Sequence, residues 1–484
     1  MSSPLPNFKQ FAKSPFIYFS LDIFEVLIYN VCNNIKIQGR LEKMSFEDIL
    51  GRVKCPVCGR VHDSLVKTVV SESGAINNLP DLVKEYGADK VFILADKNTY
   101  AVAGERAESL LLSNGITVSK CVFTEDTVTP DEHFLGAAVM RFDPSADLVI
   151  GVGSGVINDL GKIVAKVSGK PYFIVATAPS MDGYASALSS MERDGLKCSI
   201  SSKCPDAVIG DTDIMKDAPI HMLRAGLGDM IAKYISICEW RIAELICGEY
   251  YCEHIASTVR SALKKCVDNA GGLLRRDPEA VRAVFEGLVL GGISMNYATI
   301  SRPASGMEHY ISHVWDMRGL EFGTPVDLHG IQCAIGALTV ARKYAYLKAN
   351  VTPDKEKALA HANAFDYSEY ADRLRALIGK GAEAMIALEA KEGKYDTVAH
   401  AARLDKIIGN WDAILDIVNA EVPAPEYIEE LLRTIGAPIS PEDIGINSEI
   451  MPTVLRATGD IRDKYVLSRL AWDLGIESEL FGEI

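Results

Sequence analysis

The sequence predicts an α/β protein: an N-terminal part built on a mostly parallel sheet, then an all-helical C-terminal part, with the active site in the cleft between them. Three observations predict it. From residue 65 to 211, short apolar runs alternate with helical stretches, as expected of strands covered by helices on both faces. After Asp211 the strand signals largely stop and helical spacing takes over. Two of the apolar runs end in glycines or hydroxyl-bearing residues, at the edge where an open parallel sheet meets its ligands. The first part is therefore expected to be a Rossmann-like domain.

Taken in order, strands are expected at 66–70, 90–95, 117–123, 147–152, 172–176 and 207–210, each a run of Val, Ile, Phe or Ala bounded by polar or turn residues. Helices at 78–86, 99–113, 131–141 and 156–167 alternate with them. Between residues 186 and 202 the pattern breaks, which suits a short hairpin over the cleft. Helical segments follow at 219–247, 250–271, 278–300, 305–317, 327–349, 355–363, 367–392, 398–419, 423–434 and 462–475. The periodicity changes near residue 212 without a flexible tether. The division is thus 44–212 for a nucleotide-binding α/β domain and 213–484 for an all-helical metal-binding domain, after a leader at 1–43.

With 484 residues, 48% hydrophobic and 24% charged, the chain can bury more than one domain's core. A formal net charge of −15 argues against nucleic acid or an anionic membrane as a main partner, though not against a small anion met by local positive potential. Eleven cysteines in a long chain without a secreted-scaffold spacing read as reduced thiols in a cytoplasm. The apolar run at 16–32 carries Asp22 and Glu25, so it makes a poor membrane span. An amphipathic helix, a disordered leader and a translation start at Met44 stay open for residues 1–43.

Three places carry candidate chemistry. The strand at 147–152 runs into Gly153, Ser154 and Gly155 and then a helix, which lets backbone N–H groups approach a phosphate at a helix N-terminus. The next strand opens into Thr177-Ala-Pro-Ser-Met-Asp-Gly-Tyr-Ala-Ser186, placing hydroxyls and Asp182 at the same edge. Further on, His309 and His313 lie four apart on one helix face, His329 begins another helix, and Asp229 sits in an apolar helical stretch. A carboxylate and imidazoles from separate helices suit a divalent cation. Spacing alone equally allows an ion-pairing Asp and hydrogen-bonded core histidines.

The ordered set of motifs decides between these readings. Gly151-Val-Gly-Ser-Gly-Val-Ile-Asn-Asp159, the Thr177–Ser186 segment, Gly226-Leu-Gly-Asp229, Ser301-Arg-Pro-Ala-Ser-Gly-Met-Glu-His-Tyr-Ile-Ser-His313, Leu328-His-Gly330 and Ile461-Arg-Asp-Lys-Tyr465 together closely resemble the glycerol-1-phosphate dehydrogenases, in particular their bacterial AraM branch. That family belongs to the iron-dependent alcohol dehydrogenase and dehydroquinate synthase superfamily. The likeness runs from about residue 60 to the C-terminus. It implies that Asp229, His309 and His329 hold one divalent metal, zinc, nickel or iron, and that Asp182, Asp229 and His313 meet the substrate. It implies NAD or NADP as cofactor, with Gly153, Ser154, Gly155, Val156, Ile157, Asn158 and Asp159 around the pyrophosphate. Thr177, Ala178, Pro179, Ser180 and Ser186 would line the rest of the nucleotide. Asp96, at the end of its strand, matches the acidic residue expected at the adenosine ribose and so favours NAD; a turn residue is the competing view. The implied reaction is the reversible reduction of dihydroxyacetone phosphate to glycerol-1-phosphate, in a homodimer. Glycerol dehydrogenase, a dehydroquinate-synthase-like enzyme and a non-catalytic nucleotide-binding regulator are the alternatives. Lys203 and Arg302 are the basic candidates for the substrate phosphate. No carboxylate follows His329-Gly330, where Ile331 and Gln332 stand.

Cys55-Pro-Val-Cys-Gly-Arg-Val-His62 stands apart from this set. Two thiolates and a histidine supply three corners of a structural zinc knuckle, but no fourth ligand is apparent, and an exposed turn with incidental thiols is the preferred reading.

Overall fold

In the computed structural model, residues 46–194 and 196–482 are described; the leader at 1–43 and the alternative start at Met44 lie outside them. A hairpin comes first, β1 (Arg52–Lys54) against β2 (Val61–Asp63), which the sequence did not announce. Six parallel strands follow: β3 (Thr68–Glu72), β4 (Lys90–Asp96), β5 (Thr117–Phe123), β6 (Leu148–Gly153), β7 (Tyr172–Ala176) and, after a second hairpin, β10 (Ala207–Asp211). The second hairpin, β8 (Leu188–Arg193) with β9 (Leu196–Ser201), falls where the pattern broke.

The sheet order is β3-β10-β7-β6-β4-β5, with registers such as Val91 opposite Leu148 and Val149 opposite Tyr172. Every residue of β6, β7 and β10 is buried, the state that continuous apolar runs favour over alternating ones. Helices α1 (Leu79–Glu85), α2 (Glu105–Ser113), α3 (Glu132–Arg141) and α4 (Gly155–Ser168) supply the crossovers. The helix expected over 99–113 is interrupted by a π turn at Tyr100–Gly104, where the Gly104 backbone packs against the Tyr100 ring. On one face of the sheet, Val91, Ile93, Ile150, Phe173, Val175 and Ile209 join a single apolar core.

All described elements after Asp211 are helical. Those that build the site are α5 (Ile220–Ile231), α6 (Lys233–Cys247), α7 (Glu253–Asn269), α8 (Pro278–Ala298), α9 (Met307–Phe322) and α10 (His329–Asn350). Their ends are chemically marked. Asp277 caps α8 by accepting from Glu279 N and Ala280 N ahead of Pro278, and Gly248 closes α6 with a left-handed φ of 71°. Shorter helices between residues 355 and 481 complete this layer, with breaks at Gly379 and Asn410 inside two segments expected to be continuous. No described helix is long and apolar enough to cross a membrane.

Glu477, in the last described helix, gives this layer a pH dependence. Burial pushes its carboxyl up to about 7, against the pull of Arg456. A folded-state value above the unfolded one favours the protonated form, so its stabilisation is full below about pH 4.5 and is lost as pH rises through 7. Glu477→Gln should therefore match the parent in urea unfolding at pH 4 and exceed it at pH 8 by up to about 3 kcal/mol. An equal difference at both pH values would remove this account.

Candidate active site

The two directions in which the sheet grows fix where a ligand can enter. From β4 the chain steps outward to β5, whereas from β6 it steps the other way to β7 and β10, leaving a crevice beyond the C-terminal ends of β4 and β6. At the end of β6, Ser154 leads directly into α4. A side chain at Gly153 would meet Ile157 Cβ at 2.6 Å, so the turn needs glycine there. Ser154, Gly155, Val156 and Asp159 face a cavity of about 370 Å3, as do Ser180, Asp182 and Ser186 from the loop after β7.

Other expected cofactor residues lie beneath that surface. Ile157 and Asn158 are buried, and the Asn158 amide donates to Gly183 O at 3.1 Å, holding the loop from below. Thr177 and Ala178 are buried as well; Ala178 O accepts from Tyr184 Oη at 2.5 Å. The Pro179 carbonyl oxygen would stand 1.8 Å from a Cβ at Gly226. Asp96 sits at the end of β4 on the rim of the crevice. Its Oδ1 accepts from Asn98 N at 2.8 Å and Thr99 N at 2.9 Å, a reciprocal cap with Thr99.

Opposite the glycine turn, three helices bring four donor groups together. Asp229 on α5, His309 on α9, and His329 and Cys333 on α10 place one ligand atom each within 4.8 Å of one another. Contact between α5 and α10 is possible because a Cβ at Gly330 would lie 1.9 Å from Ala225 O, and one at Gly228 2.3 Å from Gly330 O. Each imidazole has its Nδ1 engaged: His309 with Glu308 Oε1 at 2.8 Å, His329 with Ser312 Oγ at 3.0 Å. This leaves Nε2 of His309 3.4 Å from Asp229 Oδ1, and Nε2 of His329 3.5 Å from Cys333 Sγ. One carboxylate and two imidazoles with occupied outer nitrogens are a donor set that fits a divalent metal. The carboxylate not found after His329 stands instead before His309, and Gln332 reaches Ser312 Oγ at 3.2 Å.

Lys233 was not foreseen, although it lies four residues after Asp229. Its ammonium is completely buried and donates to Asp182 Oδ2 at 2.5 Å, Asp229 Oδ1 at 3.0 Å and Ala304 O at 3.0 Å. Asp229 Oδ2 in turn accepts from Asp182 N at 2.9 Å. Burial opposes charge on both partners. Even so, Lys233 with the imidazoles holds Asp229 well below the usual carboxylate range, and Asp182 with Asp229 keeps Lys233 above the usual lysine value. His313 borders the cavity, its ring 5.8 Å from that of His329. Burial, then His329, push its value well below that of an ordinary imidazole, and its buried Nδ1 has no partner among the described residues.

The basic residues stand elsewhere than expected. Arg302 is buried, paired with Glu249 and donating to Tyr465 O at 2.9 Å, and Lys203 pairs with Asp206 at the opposite, N-terminal edge of the sheet. Neither faces the cavity, which meets Arg462 and Lys197 instead. Arg462 donates to Ser199 Oγ at 2.7 Å, and Lys197 lies 3.6 Å from Asp316 Oδ2. Arg462 lies within the Ile461–Tyr465 motif, a signal the sequence did contain; Lys197 had none.

Removing the buried ammonium would leave Asp182 without a counter-charge and Asp229 with only the imidazoles. Lys233→Met is expected to lower the stability of the metal-free protein by about 3–5 kcal/mol in urea unfolding. A loss below about 1 kcal/mol would show that the cation is dispensable.

The chain resembles known proteins both in sequence and in fold. Residues 70–219 match the family model of iron-containing alcohol dehydrogenases. The glycerol-1-phosphate dehydrogenase [NAD(P)+] of Halalkalibacterium halodurans is 35% identical over 291 residues, covering 59% of this chain and 73% of that protein. The enzyme of the same name from Hyperthermus butylicus is 34% identical over 276 residues, 57% of this chain and 77% of that protein. Among solved structures, a 1,3-propanediol oxidoreductase superposes with a TM-score of 0.57 at 16% identity, over 87% of this chain and all of that one. Glycerol dehydrogenase from Schizosaccharomyces pombe gives 0.55 at 17% identity, over 89% and 92%. The structural likenesses carry the fold, and the sequence relatives carry the family: this chain belongs to the glycerol-1-phosphate dehydrogenases within the iron-containing alcohol dehydrogenase superfamily.

Proposed function

We propose that this protein is a metal-dependent oxidoreductase that interconverts dihydroxyacetone phosphate and glycerol-1-phosphate with NAD(H) or NADP(H). The observation that carries the reading is one cavity with two chemically different walls, a glycine turn at a helix N-terminus and a carboxylate–imidazole cluster. When bound, a divalent metal supplies a Lewis acid for a carbonyl, and a nicotinamide supplies or accepts hydride. Asp229, His309 and His329 are the residues we assign to that metal, with Cys333 a fourth donor in reach. Such a set suits zinc, nickel or iron better than a hard cation.

The chain's own residues do the rest. Glu308 and Ser312 fix which nitrogen each imidazole presents. Lys233 keeps Asp229 ionised and draws Asp182 to the same place, so that the loop after β7 and the metal helices share one geometry. The start of α4 offers N–H groups and a positive dipole end to the cofactor's pyrophosphate. Asp96, on the rim, favours a free ribose 2′-hydroxyl and hence NAD. Arg462 and Lys197 supply the positive charge for the substrate phosphate. His313, which lines the cavity beside His329, is the residue we assign to exchanging a proton with the substrate hydroxyl. We propose a homodimer working in a reducing cytoplasm, a setting that suits the ten described cysteines, all free thiols.

The first test is oxidation of NADH by metal-replete protein with dihydroxyacetone phosphate or dihydroxyacetone. The phosphate ester is expected to win by roughly 100-fold or more in kcat/KM, with activity lost on chelation and restored by metal. Equal or better turnover of dihydroxyacetone would make the protein a glycerol dehydrogenase instead. Arg462→Ala is expected to raise KM for the phosphate ester by roughly 10- to 100-fold while sparing the weaker dihydroxyacetone reaction. A uniform loss with both substrates would take Arg462 out of phosphate binding.

A further inference from the structure

Outside the lining of the catalytic cavity, the segment read from sequence as an exposed turn does expose Pro56, Val57, Gly59 and Arg60, but two of its candidate ligands are turned inward. Cys55 and His62 expose 2% and 1% of their surface, on either side of the β1–β2 hairpin. The turn between them packs against the start of α7, where Cys252, 1% exposed, stands at the helix N-cap. The ligand atoms of Cys55, Cys58, His62 and Cys252 all lie within 4.8 Å of one another.

We propose that these four residues form a structural zinc site of the Cys3His type, clasping the β1–β2 hairpin to α7. Two of the spacings lie close to tetrahedral edges. Zinc–sulfur and zinc–nitrogen bonds of ordinary length set S···S edges of about 3.8 Å and S···N edges of about 3.6 Å. Cys55 Sγ and Cys252 Sγ stand 3.7 Å apart, and Cys58 Sγ lies 3.3 Å from His62 Nε2. Backbone N–H groups of Val57 and Cys58 point at Cys55 Sγ from 3.4 and 3.5 Å, a turn that favours a thiolate, and Gly59 completes it at a φ of 72°. The Tyr250 hydroxyl lies 3.3 Å from Cys58 Sγ, a further donor for sulfur charge. Arg60 stacks on the Tyr250 ring at 3.6 Å, covering the corner. The match to the iron-containing alcohol dehydrogenase model begins at residue 70 and ends at 219, so all four ligands fall outside it.

The clasp has a structural rather than a catalytic task. Just after β2, the Ser64 carbonyl accepts from Asn296 Nδ2 at 2.7 Å, and the same amide donates to Ala185 O at 2.7 Å, beside the loop that carries Asp182. Fixing the hairpin thus steadies a neighbour of the active-site loop without touching the reaction.

Metal content per chain tests the site apart from the catalytic assignment. Protein purified under reducing conditions is expected to hold one zinc equivalent that Asp229→Asn leaves in place and that Cys58→Ser or Cys252→Ser removes. Cobalt loaded into an Asp229→Asn, His309→Ala chain should give thiolate-to-metal charge-transfer absorption that Cys58→Ser abolishes. Should the cysteine variants fail to fold, a thiol-titrating mercurial added to the wild-type protein should release one zinc in step with the shielded thiols. Zinc content unchanged by either cysteine variant, thiols that react freely without zinc release, or a Cys55–Cys252 disulfide in freshly isolated protein would each overturn the proposal.

Discussion

The ammonium of Lys233 is the interaction on which the site's arrangement depends. It is buried, so it is tolerated only because each of its donors finds an acceptor, and those acceptors come from three places: the loop after β7, helix α5 and the turn before α9. A cation so placed reads the positions of all three at once. Displacing either carboxylate leaves a charge unpaired in a dry interior, and displacing the Ala304 carbonyl leaves a buried donor unmet, each costing more than a surface ion pair would return. The sheet and the helical layer are thereby locked in a single relative position at the point where chemistry needs them to agree.

Close backbone contact does the complementary work. Gly226, Gly228 and Gly330 let α5 touch both the Pro179 carbonyl and the first turn of α10, with no room for even a methyl group. Helices held apart by ordinary side chains pack with axes 8–10 Å or so apart. Here the missing side chains bring Asp229 and His329 within reach of a common ion. Polar precision at Lys233 and steric precision at the glycines are two halves of one device, since the first orients a carboxylate that the second has delivered.

Much of this was legible in the chain, for reasons that differ by element. Strands β4, β6, β7 and β10 were clear because sheets buried on both faces are written as unbroken apolar runs. Asp229, His309 and His329 were named through the order of motifs, and the structure brings them together; spacing by itself had left them ambiguous. What stayed hidden depended on distance along the chain or on direction in space. Cys252 lies 197 residues from Cys55, so no local pattern could supply the fourth ligand. Arg302 and Lys203 have the right charge, but sequence does not say that one is sunk against Glu249 and the other faces the wrong edge of the sheet. Lys233 was in plain view and went unassigned, because a lysine in a helix reads as a surface residue until its surroundings are known.

The cavity is framed at two places by hydrogen bonds of different kinds. At one, Asn296 ties the Ser64 and Ala185 carbonyls together through short bonds in a partly buried setting. At the other end, the β8–β9 hairpin is fastened to α4 by Lys162 on the Leu188 carbonyl, Ser189 on the Asp159 carbonyl and Ser190 N on the Asp159 carboxylate, while β9 meets Arg462 through Ser199 and Asp316 through Lys197. The hairpin is therefore anchored along β8, which buries two of its residues, and freer along β9, which buries none. An anion in the cavity would compete with Ser199 and Asp316 for the same two cations, Arg462 and Lys197.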